Sequence, residues 1–203
     1  ISYMDNSGDS TVANMPSSAT AGSTSSTSVT LSSTTPTRTG YTFSGWCNTA
    51  TTEAGTKCNG GTTPNFTAGG DYGIDQNTVN ATTLYATWTI NTYSLTITFA
   101  GSGVSSVAVK SGSASGTTIG TVSTSGGSVS NLTYNTAYYL VPTFSTGYEL
   151  DNWSNTGSYG TISSTSADNP TFTMGAGNGA VTITGKSSCT AISGYMQDFD
   201  STA

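Results

Sequence analysis

Two short stretches decide the fold: "GYTFSGWC" at residues 40–47 and "GYELDNW" at residues 147–153. Each opens with Gly-Tyr and reaches a tryptophan at the same spacing. Each also follows an alternating stretch and a proline, Pro36 in the first case and Pro142 in the second. Repetition at a fixed spacing is typical of tandem modules, so the sequence predicts a duplicated structural unit.

The segments around these stretches alternate between apolar and polar residues. This period of two predicts β-strands with one buried face. The predicted inward-facing residues are Ile1, Tyr3, Val29, Leu31, Leu84, Ala86 and Trp88 in the first unit, and Tyr93, Leu95, Ile97 and Phe99 at the start of the second. Sustained helical spacing of apolar residues is absent from the sequence. We therefore predict an all-β or nearly all-β fold with at most a short helix.

The composition limits the classes of function. Only 7% of residues are charged, against about 25% in an average protein, and the net charge is −6. A chain with four basic residues lacks the electrostatic basis for nucleic-acid binding. No apolar run approaches the roughly 20 residues that cross a bilayer. The chain contains no histidine, the commonest general base and metal ligand, so we expect no catalysis, cofactor or metal.

Cysteine usage suggests an oxidising compartment. Cys47 and Cys58 flank a Thr- and Gly-rich stretch that is typical of a surface loop, and we predict a disulfide between them. Two reduced thiols are the alternative. Closing a loop of this size contributes about 3 kcal/mol in the chain-entropy model. Cys189 is left over, and we expect its partner to lie beyond residue 203.

"TPTRTGYTFSGWCNTA", followed by "TTLYATWT", resembles the internalin-type B-repeat, also called the Listeria-Bacteroides repeat. The resemblance covers residues 1–89. Residues 93–186 resemble a divergent form of the same repeat, in which Leu150 and Asn152 replace the motif phenylalanine and glycine. The resemblance implies two tandem small β-grasp-like modules, at residues 1–89 and 90–187, with residues 188–203 as a tail or the start of a further domain.

The resemblance also implies a function outside the cell. Such repeats occur along bacterial surface proteins, so we expect non-catalytic stalk or spacer modules with an adhesive role in a secreted or wall-attached protein. The expected partners are neighbouring domains of that surface protein and glycans or proteins of the host or cell surface. Assembly into an extracellular filament through open sheet edges is an alternative.

The motif residues are predicted to be structural: Gly40, Tyr41, Phe43, Gly45, Trp46, Trp88, Gly147, Tyr148 and Trp153. Strict alternation would place Trp46 on the opposite face from Tyr41 and Phe43. Because burying an indole among polar residues is costly, we predict a β-bulge at Gly45 that returns Trp46 to the core. We expect Asn152, a residue tolerant of positive φ, to do the same for Trp153.

Carbohydrate binding is the main functional alternative, since exposed aromatic rings beside hydroxyl groups stack on sugars. The candidate tyrosines are Tyr72, Tyr138, Tyr139 and Tyr159. Two "TIT" segments, 96–98 and 182–184, are too few for a Thr-x-Thr ice-binding face.

The acidic and basic residues suggest weaker possibilities. Glu149 and Asp151 are predicted to share a strand face, so they are the best candidates for a pair of carboxylates that could catalyse hydrolysis. Asp71 and Asp75 offer oxygen ligands for calcium in a spacing that matches no EF-hand. An isopeptide crosslink from Lys110 or Lys186 to an asparagine would need an acid, such as Glu149, buried between the lysine and the asparagine.

Overall fold

The structure is a computed structural model that describes residues 1–8, 12–20, 27–48, 65–73 and 82–188. The chain divides into two compact units, Ile1–Thr92 and Tyr93–Ala203. The described residues form strands, turns and irregular loops and contain no helix, which confirms the all-β prediction. The finer prediction of β-grasp-like modules is not established by these sheets. Residues 189–203, which include most of the predicted tail, lie outside the described part of the chain.

The described residues of the first unit form a three-stranded sheet and a two-stranded ribbon. Its strands are β1 (Ser2–Met4), β2 (Ser28–Thr30), β3 (Tyr41–Cys47), β4 (Asp71–Gly73) and β5 (Thr83–Ile90). The sheet has the order β1-β5-β3, in which β5 pairs parallel with β1 and antiparallel with β3. The ribbon pairs β2 with β4, so a short strand lies within the predicted loop 48–80.

The core of the first unit follows the predicted alternation. Leu31, Trp46, Leu84, Ala86 and Trp88 form one buried cluster, and Ile1 and Tyr3 pack against it. The β-branched and aromatic residues of these strands favour a pleated surface with one buried face.

The second unit, as far as residue 188, forms two sheets. Its strands are β6 (Thr92–Gly101), β7 (Val104–Ser111), β8 (Thr117–Val122), β9 (Gly127–Thr133), β10 (Ala137–Phe144), β11 (Tyr148–Asn155), β12 (Thr161–Ile162), β13 (Thr171–Thr173) and β14 (Gly179–Ser187). One sheet has the order β12-β13-β10-β7-β8, and the other has the order β11-β14-β6-β9. The first and last strands, β6 and β14, lie side by side and parallel in the middle of the second sheet.

Both sheets contribute to one core. Leu95 and Ile97 come from β6, Val107 and Val109 from β7, and Trp153 from β11, and all are buried in the same cluster. Inward-facing residues of two sheets that share one cluster are the arrangement of a β-sandwich. The alternation of "YSLTITF" thus predicted the buried face of β6 correctly.

Candidate functional site

The two motif strands occupy the same place in their units. β3 pairs antiparallel with β5, the last described strand of the first unit, and β11 pairs antiparallel with β14, the last described strand of the second. In each unit that last strand also pairs parallel with the first strand. The glycine that opens each motif has positive φ, 76° at Gly40 and 84° at Gly147, where an L side chain is strained. The repeated spacing in the sequence therefore corresponds to a repeated strand arrangement.

A β-bulge interrupts both motif strands at the same point. In β3 the register shifts between Phe43 and Gly45, and in β11 it shifts between Leu150 and Asn152. Gly45 has a φ of 142°. The predicted bulge at Gly45 is confirmed, and a matching bulge occurs before Trp153. The bulge expected at Asn152 is therefore confirmed, although Asn152 forms it without a positive φ.

The bulges return both motif tryptophans to the interior. Trp46 is 0% exposed and Trp153 is 1% exposed, as is Trp88 on β5. The Trp88 indole donates to the Asp5 carbonyl at 2.8 Å, and the Trp153 indole donates to the Ala167 carbonyl at 3.1 Å. The Trp46 indole N–H has no hydrogen-bond partner among the residues described here. The tryptophans are thus core residues and do not form a binding platform.

Aromatic contacts explain the rest of the first motif. The ring centroid of Phe43 lies 4.9 Å from that of Trp46 and 5.8 Å from that of Trp88, both edge-on. Tyr3 approaches Trp46 from β1 with a centroid distance of 4.7 Å. Tilted and edge-to-face pairs of this kind add about 0.5–1.5 kcal/mol beyond the burial of area. Phe43 and Trp46 therefore pack the motif strand against the core of the first unit.

The two motif tyrosines are held in different ways. The Arg38 guanidinium lies 3.7 Å above the Tyr41 ring, and Arg38 also donates to the Ser7 carbonyl at 3.0 Å. In the second unit, Tyr148 covers Gly103, so that a Cβ at Gly103 would meet the tyrosine ring at 2.0 Å. Neither partner was identified from the sequence. The only available signal for Arg38 was its position three residues before Tyr41 in a chain with few cations.

The four candidate sugar-binding tyrosines differ in how far their side chains are exposed. Tyr138 is 5% exposed in the core, and its hydroxyl accepts a hydrogen bond from the Thr133 backbone N–H at 2.9 Å. Its ring is therefore unable to stack on a ligand, which corrects its assignment as a candidate. Tyr72 is partly buried against Phe66, and Tyr139 is partly buried on β10. Tyr159 is 50% exposed and remains the open candidate.

The acidic residues contact neighbouring polar groups. Lys186 Nζ lies 3.4 Å from Asp151 Oδ1 and 4.0 Å from Glu149 Oε1, and all three side chains are about half exposed. Exposed pairs of this kind contribute about 0–1 kcal/mol. Glu149 is about half exposed beside Lys186, so it is not the buried acid that a crosslink from this lysine would need. Asp71 accepts a hydrogen bond from Thr30 at 2.9 Å, whereas its predicted calcium-binding companion Asp75 lies outside the described residues.

A groove of about 580 Å³ runs beside the motif of the first unit. Pro36, Arg38, Tyr41 and Phe43 line it together with several threonines. Its described lining offers hydroxyl groups, one guanidinium and two aromatic rings, and it contains no carboxylate. Within the described residues, no three His, Cys, Asp or Glu side chains lie close enough to hold a metal ion.

The outer face of β6 and its neighbours carries hydroxyl groups. Ser94 bonds to Ser130 at 3.1 Å, and Thr96 bonds to Ser128 at 2.9 Å. The pairing of β6 with β14 brings both "TIT" segments together, but Thr96 faces Ala180 and only Thr98 faces another threonine, Thr182. The face is polar but lacks the repeated Thr-x-Thr register of an ice-binding surface.

The predicted disulfide falls partly outside the described residues. Cys47 is buried at the end of β3, while Cys58 and Cys189 are not described. The Cys47–Cys58 bridge therefore stays a prediction.

Among the residues that the structure describes, no helix is long and apolar enough to cross a membrane.

Comparisons with known proteins give one structural likeness. No family model matches the chain, and no curated protein matches it. Among solved structures, the chain is similar to a bacterial adhesin from Mobiluncus mulieris that contains intramolecular disulfide, isopeptide and ester bond cross-links. The identity is 13%, the TM-score is 0.37, and the match covers 64% of this chain and 52% of that one. The chain thus spans about half the length of that adhesin, and a TM-score of this size does not establish a shared fold.

Proposed function

We propose that this chain is a pair of tandem, non-catalytic repeat modules of a secreted or wall-attached bacterial surface protein, in which they act as a stalk or spacer and contribute to adhesion. The observation that carries the proposal is the shared plan of the two units. Each has a motif strand with a bulge, placed beside a last strand that pairs parallel with the first. What is duplicated is a folding scaffold, as expected for repeats that extend a chain.

Two features support this role: the short connection between the two units and the hydroxyl groups on the outer face of β6 and β9. β5 ends at Ile90 and β6 begins at Thr92, so a single residue, Asn91, joins the last strand of one unit to the first strand of the next. The two units therefore follow each other directly in the chain, as tandem repeats do. The outer face of β6 and β9 carries serine and threonine hydroxyls, and a weakly charged, hydroxyl-rich surface suits exposure outside the cell.

The location is tested on the organism that encodes the chain. An antibody raised against the protein should label intact cells, and mild protease treatment of those cells should remove the label or release the protein. Membrane-permeabilised cells serve as the control for total antigen. Antigen that is found only after permeabilisation would overturn the surface assignment.

The carbohydrate-binding alternative is tested with the purified full chain on a glycan array. The stalk proposal expects no reproducible sugar binding. Sugar binding that Tyr159→Ala removes and Ile119→Ala retains would replace the stalk with a carbohydrate-binding module, because both side chains are exposed but only Tyr159 offers an aromatic ring. Light scattering on the same protein distinguishes the filament alternative, which requires growth of the particles with concentration.

A further inference from the structure

The first and last strands of the second unit form a long parallel pair. Seven residues of β6 are in register with seven of β14, from Leu95 opposite Gly179 to Gly101 opposite Gly185. The Ser102 backbone N–H extends the pairing by donating to the Gly185 carbonyl at 3.0 Å. Neither strand lies at the edge of its sheet, because β9 flanks β6 and β11 flanks β14.

This pairing determines how the unit responds to a pulling force applied along the chain. Tension draws β6 toward its own N-terminal end and draws β14 toward its own C-terminal end. Because the strands are parallel, these two pulls act in opposite directions along one axis, so the strands are loaded to slide past each other. The evenly spaced hydrogen bonds of a parallel pair then share the load and must fail together. Antiparallel neighbours would instead open one bond at a time from one end.

The core adds resistance to sliding. Leu95 and Ile97 on β6, and Val181 and Ile183 on β14, are all 0% exposed. A slip by one residue would turn these side chains to the outer face, and a slip by two would shift each out of its packed position. The side chains therefore oppose the same movement as the backbone hydrogen bonds.

We propose that the β6–β14 pair is a mechanical clamp that allows the second unit to bear tension transmitted along the chain. The first unit contains a shorter version, in which β1 and β5 share three registered pairs between Ser2–Met4 and Thr83–Tyr85. It should therefore yield at lower force than the second unit. The biological use of the clamp rests on the proposed stalk function, whereas its mechanical strength does not.

Single-molecule stretching of the full chain between marker domains tests the clamp. Forced unfolding reports the unfolding rate under load rather than equilibrium stability. Pulled through its two ends, the second unit should unfold in one step that lengthens the chain by about 30 nm, at about 3.4 Å per extended residue less the length of the folded strands. Handles at the exposed residues Ser102 and Ser188 load the same two strands from one end, so that the pair opens bond by bond.

The expected result is a rupture force severalfold higher for end-to-end pulling than for pulling through Ser102 and Ser188. Thr98→Ala, on the outer face of β6, serves as a control and should leave the ratio unchanged, since it removes no backbone bond. Equal forces in the two pulling directions, with circular dichroism showing that both preparations are folded, would overturn the clamp. A high ratio in a protein absent from the cell surface would retain the clamp and refute the stalk.

Discussion

Gly103→Ala should destabilise the second unit far more than the same change at Gly112. The two glycines have nearly the same φ, +81° and +79°. A Cβ at Gly103 would lie 2.0 Å from Tyr148 Cγ, whereas a Cβ at Gly112 would meet no heavy atom within 4 Å. Gly112→Ala is thus a matched control that carries the backbone strain without the steric clash.

The magnitudes follow from these two differences. Left-handed backbone costs an alanine about 1–2 kcal/mol, and the reduced freedom of the unfolded chain returns about 0.4–1 kcal/mol. Gly112→Ala should therefore lower the free energy of unfolding by about 1 kcal/mol. Overpacking against the Tyr148 ring adds about 1–3 kcal/mol for Gly103→Ala. A difference of about 2 kcal/mol corresponds to roughly 8–16 °C in the Tm of a unit of this size.

Hydrogen exchange read by mass spectrometry is the suitable assay, because a two-unit chain does not guarantee a single two-state transition. Peptides from β6 and β14 report the global opening of the second unit, and peptides from β5 serve as an internal reference. Equal loss of protection in the two variants would refute the reasoning, since it would show that Tyr148 does not restrict the space above Gly103.

Three further predictions concern the motifs. Trp153→Phe should lower the free energy of unfolding of the second unit by about 1 kcal/mol more than Trp46→Phe lowers that of the first, because only Trp153 loses an indole hydrogen bond. Urea unfolding measures both losses, and equal losses would contradict this prediction. Arg38→Lys should lower the stability of the first unit by about 1–2 kcal/mol, since an ammonium group reproduces neither the planar stacking on Tyr41 nor the geometry of the bond to Ser7, and an unchanged unfolding midpoint would contradict it. Alkylation of the unreduced, denatured protein should leave Cys47 and Cys58 unmodified and label both after reduction; labelling of both without reductant would disprove the disulfide.

The sequence was sufficient for features that depend on local chemistry. Alternation identified the buried faces of β5 and β6, because side chains on a strand point to opposite sides in turn. The bulge at Gly45 followed from the cost of leaving Trp46 among polar residues, and the structure confirms it. Tyr138 was assigned incorrectly because its hydroxyl allowed a surface interpretation, whereas the fold supplies the Thr133 N–H as a partner inside the core.

The tertiary structure alone decided which strands became neighbours. Nothing in "TIT" at 96–98 or at 182–184 indicates that the two segments pair, and the clamp depends on that pairing being parallel. The contacts of the motif tyrosines, with Arg38 over the Tyr41 ring and Gly103 under Tyr148, also appear only when distant or turn segments are brought together. A sequence specifies which face of each strand is buried, because that choice is made residue by residue. Which strands become neighbours depends on the free energy of the whole core, to which all strands contribute together. Strand pairing is therefore known only from the folded unit.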